Sequence, residues 1–263
     1  MEYLTLEELQ NEELKIAIEI DKYCNEHDIK YFLSSGSLLG AIRHHGFIPW
    51  DDDMDMYMAR DDYDKFCNTF SHDQLIIKYC ENGTLHAPFA KVCNPNILVE
   101  SEALGDEDNS LLWVDIFPID GAAKTKDEQN KRFKKVAFWT KLLMANRTPF
   151  YPAKNPIKNF IKHLVYYFYK KFLTRNQIIK ISKRISNFLR QIPTFSTGFI
   201  TNTLWPAVYP AEILKEREKY DFNGYKFYSF KMYDLYLSTA YGDYMTLPPE
   251  DKRELHHLKA YFK

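Results

Sequence analysis

The sequence predicts an α+β fold: a mixed-sheet α/β core, a basic helical region, and a C-terminal extension packing on the core. Three observations carry this. Between residues 30 and 120, short strand-like segments alternate with short helical ones over brief connections. From about residue 127 apolar residues recur three and four apart, with Lys and Arg between them. From 205 onward strand-like segments return, among them "YDFNGYKFYSF", whose central Asn-Gly is a strong hairpin signal. The expected division is a core with its N-terminal helix over 1–125, a basic helical region over 126–204, and a region completing the core domain over 205–263.

The elements follow in order. Residues 5–27 read as a helix, with Thr5 and Glu8 forming a capping box. Leu6, Leu9, Ile16, Ile20 and Tyr23 form its apolar stripe, which Glu13 interrupts. "KYFLSS" is a short strand ending at Gly36-Ser37, and "LLGAIRHH" a helical turn or two. "DMDMYM" alternates polar and apolar residues, as a strand covered on one face does. "RDDYDKFCNTF" returns to helix, and "LIIKYCEN", "FAKVCNPNILVE" and "LLWVDIFPID" read as three more strands.

Bulk composition excludes several classes. At 263 residues and 45% hydrophobic, the chain can bury a real core and is not disordered. The start "MEYLTLEELQNEELK" reads as an acidic helix and not a signal peptide. Fully apolar runs such as "LVYYFY" fall far short of the ~20 residues that cross a bilayer. Cys24, Cys67, Cys80 and Cys93 lack C-x-x-C or zinc spacing and read as reduced thiols packed as small hydrophobes. The net charge of −1 hides an asymmetry: Gln129 to Ala211 holds sixteen Lys and Arg and no Asp or Glu. Such a segment suggests an anionic partner, and an amphipathic basic helix fits an anionic membrane surface. No nucleic-acid-binding motif is present, so no nucleic-acid partner is expected. The expected location is cytoplasmic, peripheral at the inner face of the cytoplasmic membrane.

"GFIPWDDDMDMYM", residues 46–58, carries the chemistry. Asp51, Asp53 and Asp55 alternate onto one face, and ionised carboxylates leading into an apolar strand are costly unless neutralised. A solvated acidic turn does not explain carboxylates within such a strand. A calcium loop opening at Asp51 needs Gly sixth and Glu twelfth, where Met56 and Asp62 stand. A Mg²⁺ site for phosphate chemistry fits: carboxylates one residue apart on a strand hold the ion against a phosphate. Asp115, within the apolar "LLWVDIFPID", is the expected third carboxylate, with a salt bridge to a core Arg as its structural alternative. Gly36-Ser37 closes a strand and opens a helix, a seat for phosphate. Strand, Gly-Ser, helix, then D-x-D on the next strand is the arrangement of the nucleotidyltransferase fold. Arg43 and Lys91 are expected to neutralise phosphate charge, surface or structural ion pairs being the alternative.

"SSGSLLGAIRHHGFIPWDDDMDMYM" resembles the signature of the LicD family, with further matches in "FAKV", "WVDIFPIDG", "YPAEI" and "YGDYMTLPPEDKRELHH". Fukutin-related proteins carry a similar core. The resemblance spans residues 30 to about 257, loosely through the basic middle. It implies a nucleotidyltransferase fold and Mg²⁺-dependent transfer of phosphocholine from CDP-choline, or a similar CDP-linked donor, to a glycan hydroxyl. It implies a lipid-linked acceptor: a teichoic acid, lipopolysaccharide or capsule precursor. Transfer of glycerol phosphate or a similar group, a nucleotidyltransferase leaving a nucleotide on its acceptor, and a metal-stabilised binding module are the alternatives. By position, Asp53 and Asp55 match the family's metal pair, Asp51 an added acidic position, Asp115 the third carboxylate, and Gly36 and Ser37 the phosphate turn. Asp53, Asp55 and Asp115 are therefore the expected catalytic residues, with one or two Mg²⁺ ions and Mn²⁺ as a substitute. Choline is a quaternary ammonium that aromatic cages bind. Trp50, Trp113, Trp205 and Tyr209 are the expected aromatic contacts, and His256 and His257 weaker additions.

Overall fold

In a computed structural model of the chain, the described residues are 2–100, 111–147, 173–202, 207–250, 253 and 258–263, with isolated helical positions between 156 and 167. Helix α1 (Leu6–Glu26) begins at the expected capping box: the Glu8 N–H donates to Thr5 Oγ1 at 3.3 Å, and the Thr5 N–H donates to Glu8 Oε2 at 2.8 Å. Its buried stripe holds Leu9, Ile16, Ala17, Ile20 and Cys24, with Glu13 among them. Strand β1 (Tyr31–Leu33) leads into helix α2 (Ser35–His44). Strand β2 (Asp55–Ala59), helix α3 (Arg60–Thr69) and strand β3 (Ile76–Tyr79) follow.

The segment "FAKVCNPNILVE", expected as one strand, is two: β4 (Ala90–Asn94) and β5 (Ile97–Glu100). Pro95 supplies no N–H, and the Asn94 side chain accepts from the Asn96 N–H at 3.0 Å, so a turn interrupts the ladder. Strand β6 (Leu112–Gly121) is buried along all ten residues, as its near-continuous apolar sequence requires. β6 is the spine of a curled, mixed, seven-stranded sheet ordered β1-β2-β6-β4-β3. The β2–β6 pairing is parallel, and the others along this path are antiparallel.

Helices α4 (Lys126–Arg147) and α5 (Arg175–Leu189) carry the basic segment. They pack through a satellite core of Val136, Leu143, Ile178, Ile181, Ile185 and Leu189. The acid-free stretch draws its counter-charges from the core. Arg190 pairs with Asp64 of α3 and, at 3.0 Å, with Glu81, which also accepts from Ser186 Oγ at 2.7 Å. Strands β7 (Phe199–Asn202) and β8 (Val208–Pro210) then add to the main sheet through the last residues of β6.

The C-terminal part packs back on the core. Strands β9 (Arg217–Phe222) and β10 (Tyr225–Phe230) form the expected hairpin, with Asn223 and Gly224 at φ +47° and +79° as an Asn-Gly turn demands. That turn clamps the segment ahead of the carboxylates: Asn223 Oδ1 accepts from the Phe47 N–H at 3.2 Å, and the Asn223 N–H donates to the His45 carbonyl at 2.8 Å. Helix α6 (Tyr233–Tyr241) lies against α2 and β10, and strand β11 (Lys259–Phe262) pairs with β5. All four cysteines are free and buried, and burial pushes the Cys93 thiol up to about 12.

A buried ion pair fastens α3 to the spine. The Arg60 guanidinium donates to both Asp120 carboxylate oxygens, at 2.8 and 2.6 Å. Removing one partner strands the other charge in the core, at a cost of about 3–5 kcal/mol. Asp120→Ala should therefore lower unfolding stability by that amount in urea titrations. A loss below about 1 kcal/mol would contradict this role.

Candidate active site

The parallel register of β2 and β6 sets Asp55 opposite Asp115, and the antiparallel register of β4 and β6 sets Lys91 opposite Asp115 from the other side. Residues in register on neighbouring strands share a face. Three strands thus present Asp55, Asp115 and Lys91 in a row. Lys91 Nζ lies 3.5 Å from Asp115 Oδ1, and the Trp113 indole N–H donates to Asp115 Oδ2 at 3.0 Å. The alternative reading of Asp115, a salt bridge to a core Arg, is met only in that a lysine, Lys91, pairs with it. β2 itself begins at Asp55. Asp51 to Met54 form its approach, and the Met54 carbonyl accepts the Asp115 N–H at 2.9 Å. Met54, Met56 and Met58 are fully buried, which turns Asp53 and Asp55 to the opposite, half-buried face.

The start of α2 meets the acidic approach. A Cβ built on Gly36 would stand 2.6 Å from Asp51 Oδ2, so only glycine admits that carboxylate so close. Asp51 therefore lies where a phosphate is expected, at a helix N-terminus that favours anions. Ser37 does not aim its hydroxyl outward: its Oγ accepts from the Asp55 N–H at 2.8 Å and latches α2 to the first residue of β2. Ser35 takes a left-handed conformation, φ +49°, and its N–H donates to the Tyr236 hydroxyl at 3.1 Å. A non-glycine residue in that region stores strain that its surroundings must hold, and such residues gather at functional sites.

Burial and the mutual repulsion of carboxylates shape the electrostatics of the cluster. Burial, then Asp53, Asp115 and Asp51, push the Asp55 carboxyl well above the usual carboxylate range. Burial, then Asp53, Asp52, Asp51 and Asp115, do the same to Glu13 on α1. Asp52 is itself buried, and its carboxylate accepts from the Leu258 N–H at 3.1 Å. Hard oxygen donors of this kind suit Mg²⁺ or Mn²⁺. Among the described residues no three Asp, Glu, His or Cys side chains converge on one ion as they stand. Lys91 pairs with Asp115, and the carboxylates repel one another.

The remaining expected residues scatter. Arg43 lies seven residues along α2 from Gly36, about 10 Å of helix. Its guanidinium donates to the Tyr244 carbonyl at 2.8 Å. The Trp113 ring is already faced by a cation, Lys91 Nζ at 3.4 Å, and Trp50 by Arg253 at 4.6 Å. Tyr209 stacks on Tyr236 and lines a small cavity with Tyr57, Phe230 and Asn202, beside the Ser35–Asp55 corner. Trp205, His256 and His257 lie outside the described residues. Sequence reasoning missed Glu13, Gln10, Ser35 and Tyr236. Only Glu13 left a signal, as a charge in an apolar stripe.

A family model described as the LicD/FKTN/FKRP nucleotidyltransferase domain matches residues 28–149, a span that holds the expected phosphate turn and every expected metal ligand. The lipopolysaccharide cholinephosphotransferase LicD of Haemophilus influenzae is 29% identical over 98% of this chain and 98% of its own. Uncharacterised proteins of Rickettsia prowazekii and Rickettsia typhi are each 51% identical over 37 residues, 14% of this chain and 14% and 12% of their own. By this domain match and this end-to-end similarity, the chain is similar to the LicD protein of Haemophilus influenzae throughout and to the LicD/FKTN/FKRP nucleotidyltransferase domain over residues 28–149.

Proposed function

We propose that this protein is a phosphotransferase that moves phosphocholine from CDP-choline to a hydroxyl of a cell-surface glycan, on a core of nucleotidyltransferase type. The observation that carries the reading is the near-full-length similarity to an enzyme named for cholinephosphate transfer to lipopolysaccharide. The row of Asp55, Asp115 and Lys91, inside the matched domain, supplies matching chemistry.

In this reading Asp53, Asp55 and Asp115 hold one or two Mg²⁺ ions, with Asp51 as an added acidic contact. When bound, the ions offset the charge of the donor's pyrophosphate and of the attacking and leaving oxygens. The N–H groups of the first turn of α2, at Gly36 and Ser37, seat the donor's phosphate, displacing the Asp51 carboxylate from that end. Asp115, oriented by the Trp113 indole and by Lys91, takes the proton of the acceptor hydroxyl. Lys91 then has a second task, neutralising phosphate charge as the donor enters. Tyr209, in its aromatic cavity, is the proposed choline contact. The hydroxyl attacks the phosphorus that bears choline, and CMP leaves.

The basic helices suit an acceptor carried on a membrane lipid. Lys131, Lys134, Lys135 and Lys141 of α4, and Arg175, Lys180 and Arg184 of α5, are exposed, as is Phe138. Among the described residues no helix is long and apolar enough to cross a membrane. The proposed location is therefore peripheral, on the anionic inner face of the cytoplasmic membrane.

Two measurements test this. Incubated with Mg²⁺ and CDP-choline, CDP-ethanolamine, CDP-glycerol or CDP-ribitol, the protein should release CMP selectively from CDP-choline. Asp53→Asn should cut that rate by more than about 100-fold, beyond the usual cost of losing an outer partner at a metal site, with its melting temperature kept. Preference for CDP-glycerol or CDP-ribitol would move the activity to that sibling transfer. In sedimentation, the protein should bind anionic vesicles at low salt and release them at 1 M salt, where the screening length is about 3 Å. No binding at low salt would remove the membrane contact.

A further inference from the structure

One more carboxylate stands beside the acidic cluster, contributed by a helix outside every motif described above. Glu13 occupies a core position of α1 between Leu9 and Ile16. It is 0% exposed, and neither carboxylate oxygen has a hydrogen-bond partner among the described residues. Buried carboxylates are ordinarily paired or bound to a cation. Burial, then the Asp53, Asp52, Asp51 and Asp115 carboxylates, push its carboxyl well above the usual range, and none of the four neutralises it. Its direction is fixed by the same helix: Gln10, one turn earlier, donates its side-chain amide to the Asp51 carbonyl at 2.7 Å. That bond docks α1 on the acidic approach and turns position 13 toward the cluster.

A core acid kept only for packing would be expected to face apolar groups or a hydroxyl. Glu13 has no hydroxyl partner, and its helix is docked on the acidic approach through Gln10. A hard divalent cation takes six or more oxygens, and Asp53, Asp55 and Asp115 leave positions to fill. We propose that Glu13 is an additional ligand of the divalent-cation site, supplying an oxygen and a negative charge from the α1 side. This rests on the cation reading above and adds a residue to it. It also explains why the helix preceding the matched domain carries a charge where its stripe calls for an aliphatic residue.

The test is Mn²⁺ alone, titrated into the full chain, with the free ion read by electron paramagnetic resonance and melting temperatures taken without metal. Glu13→Gln has the shape of the protonated acid, so a packing role would leave both readouts unchanged. The assignment expects Mn²⁺ binding weakened roughly 10–100-fold. It also expects a metal-free melting temperature at or above that of the wild type. Asp53→Asn is the reference. If it loses Mn²⁺ while Glu13→Gln binds as the wild type does, the Glu13 assignment is overturned and the cation reading stands. If the wild type binds no Mn²⁺, both fall. Should Glu13→Gln not fold, Glu13→Asp keeps the charge but withdraws the oxygens by one methylene. Weakened binding then supports the assignment, and wild-type binding overturns it.

Discussion

Two carboxylates held side by side by a parallel strand pairing set the terms for everything around them. Asp55 and Asp115 are in register on β2 and β6, and backbone hydrogen bonds fix that register. Neither can retreat without breaking the ladder at the spine of the sheet. Their repulsion must be offset, in part by Lys91 from the next strand and by the Trp113 indole, and on the cation reading by Mg²⁺. On that reading the cluster is a place where folding alone is locally unfavourable and binding relieves the cost. That is the usual energetic character of an active site.

Segments far apart in sequence hold this strained corner in place. Gln10 of α1 grips the Asp51 carbonyl, Tyr236 of α6 receives the Ser35 N–H, and the backbone of Leu258 donates to Asp52. The β9–β10 turn clamps His45 and Phe47 just ahead of the carboxylates. Both the N-terminal helix and the C-terminal extension therefore brace an acidic corner that lies within the domain matched over 28–149.

Much of this was legible in the sequence, and particular residues show why. Thr5 and Glu8 announced the start of α1, Asn223-Gly224 the hairpin, and the alternation of Met54, Met56 and Met58 with aspartates the facing of the acidic strand. These are local signals, complete within a few residues. What stayed hidden depends on contacts between distant residues. The pairing of β5 with β11, the reach of Tyr236 to Ser35, and the partnership of Lys91 with Asp115 have no local signature. Arg43 is instructive. Its place in a motif suggested phosphate, but helical geometry carries it two turns from Gly36 and onto the Tyr244 carbonyl. Glu13 lies between these cases. Its sequence position marked it as anomalous, and only its buried, unpartnered surroundings say why.

The central claim is that the carboxylates of β2 and β6 are a cation site in waiting. Anomalous diffraction from crystals grown with Mn²⁺ tests it directly. The account predicts a peak bounded by Asp53, Asp55 and Asp115, with Lys91 drawn back from Asp115 as the ion takes over its charge. A peak elsewhere, or Lys91 still on Asp115 with no ion between the strands, would contradict it.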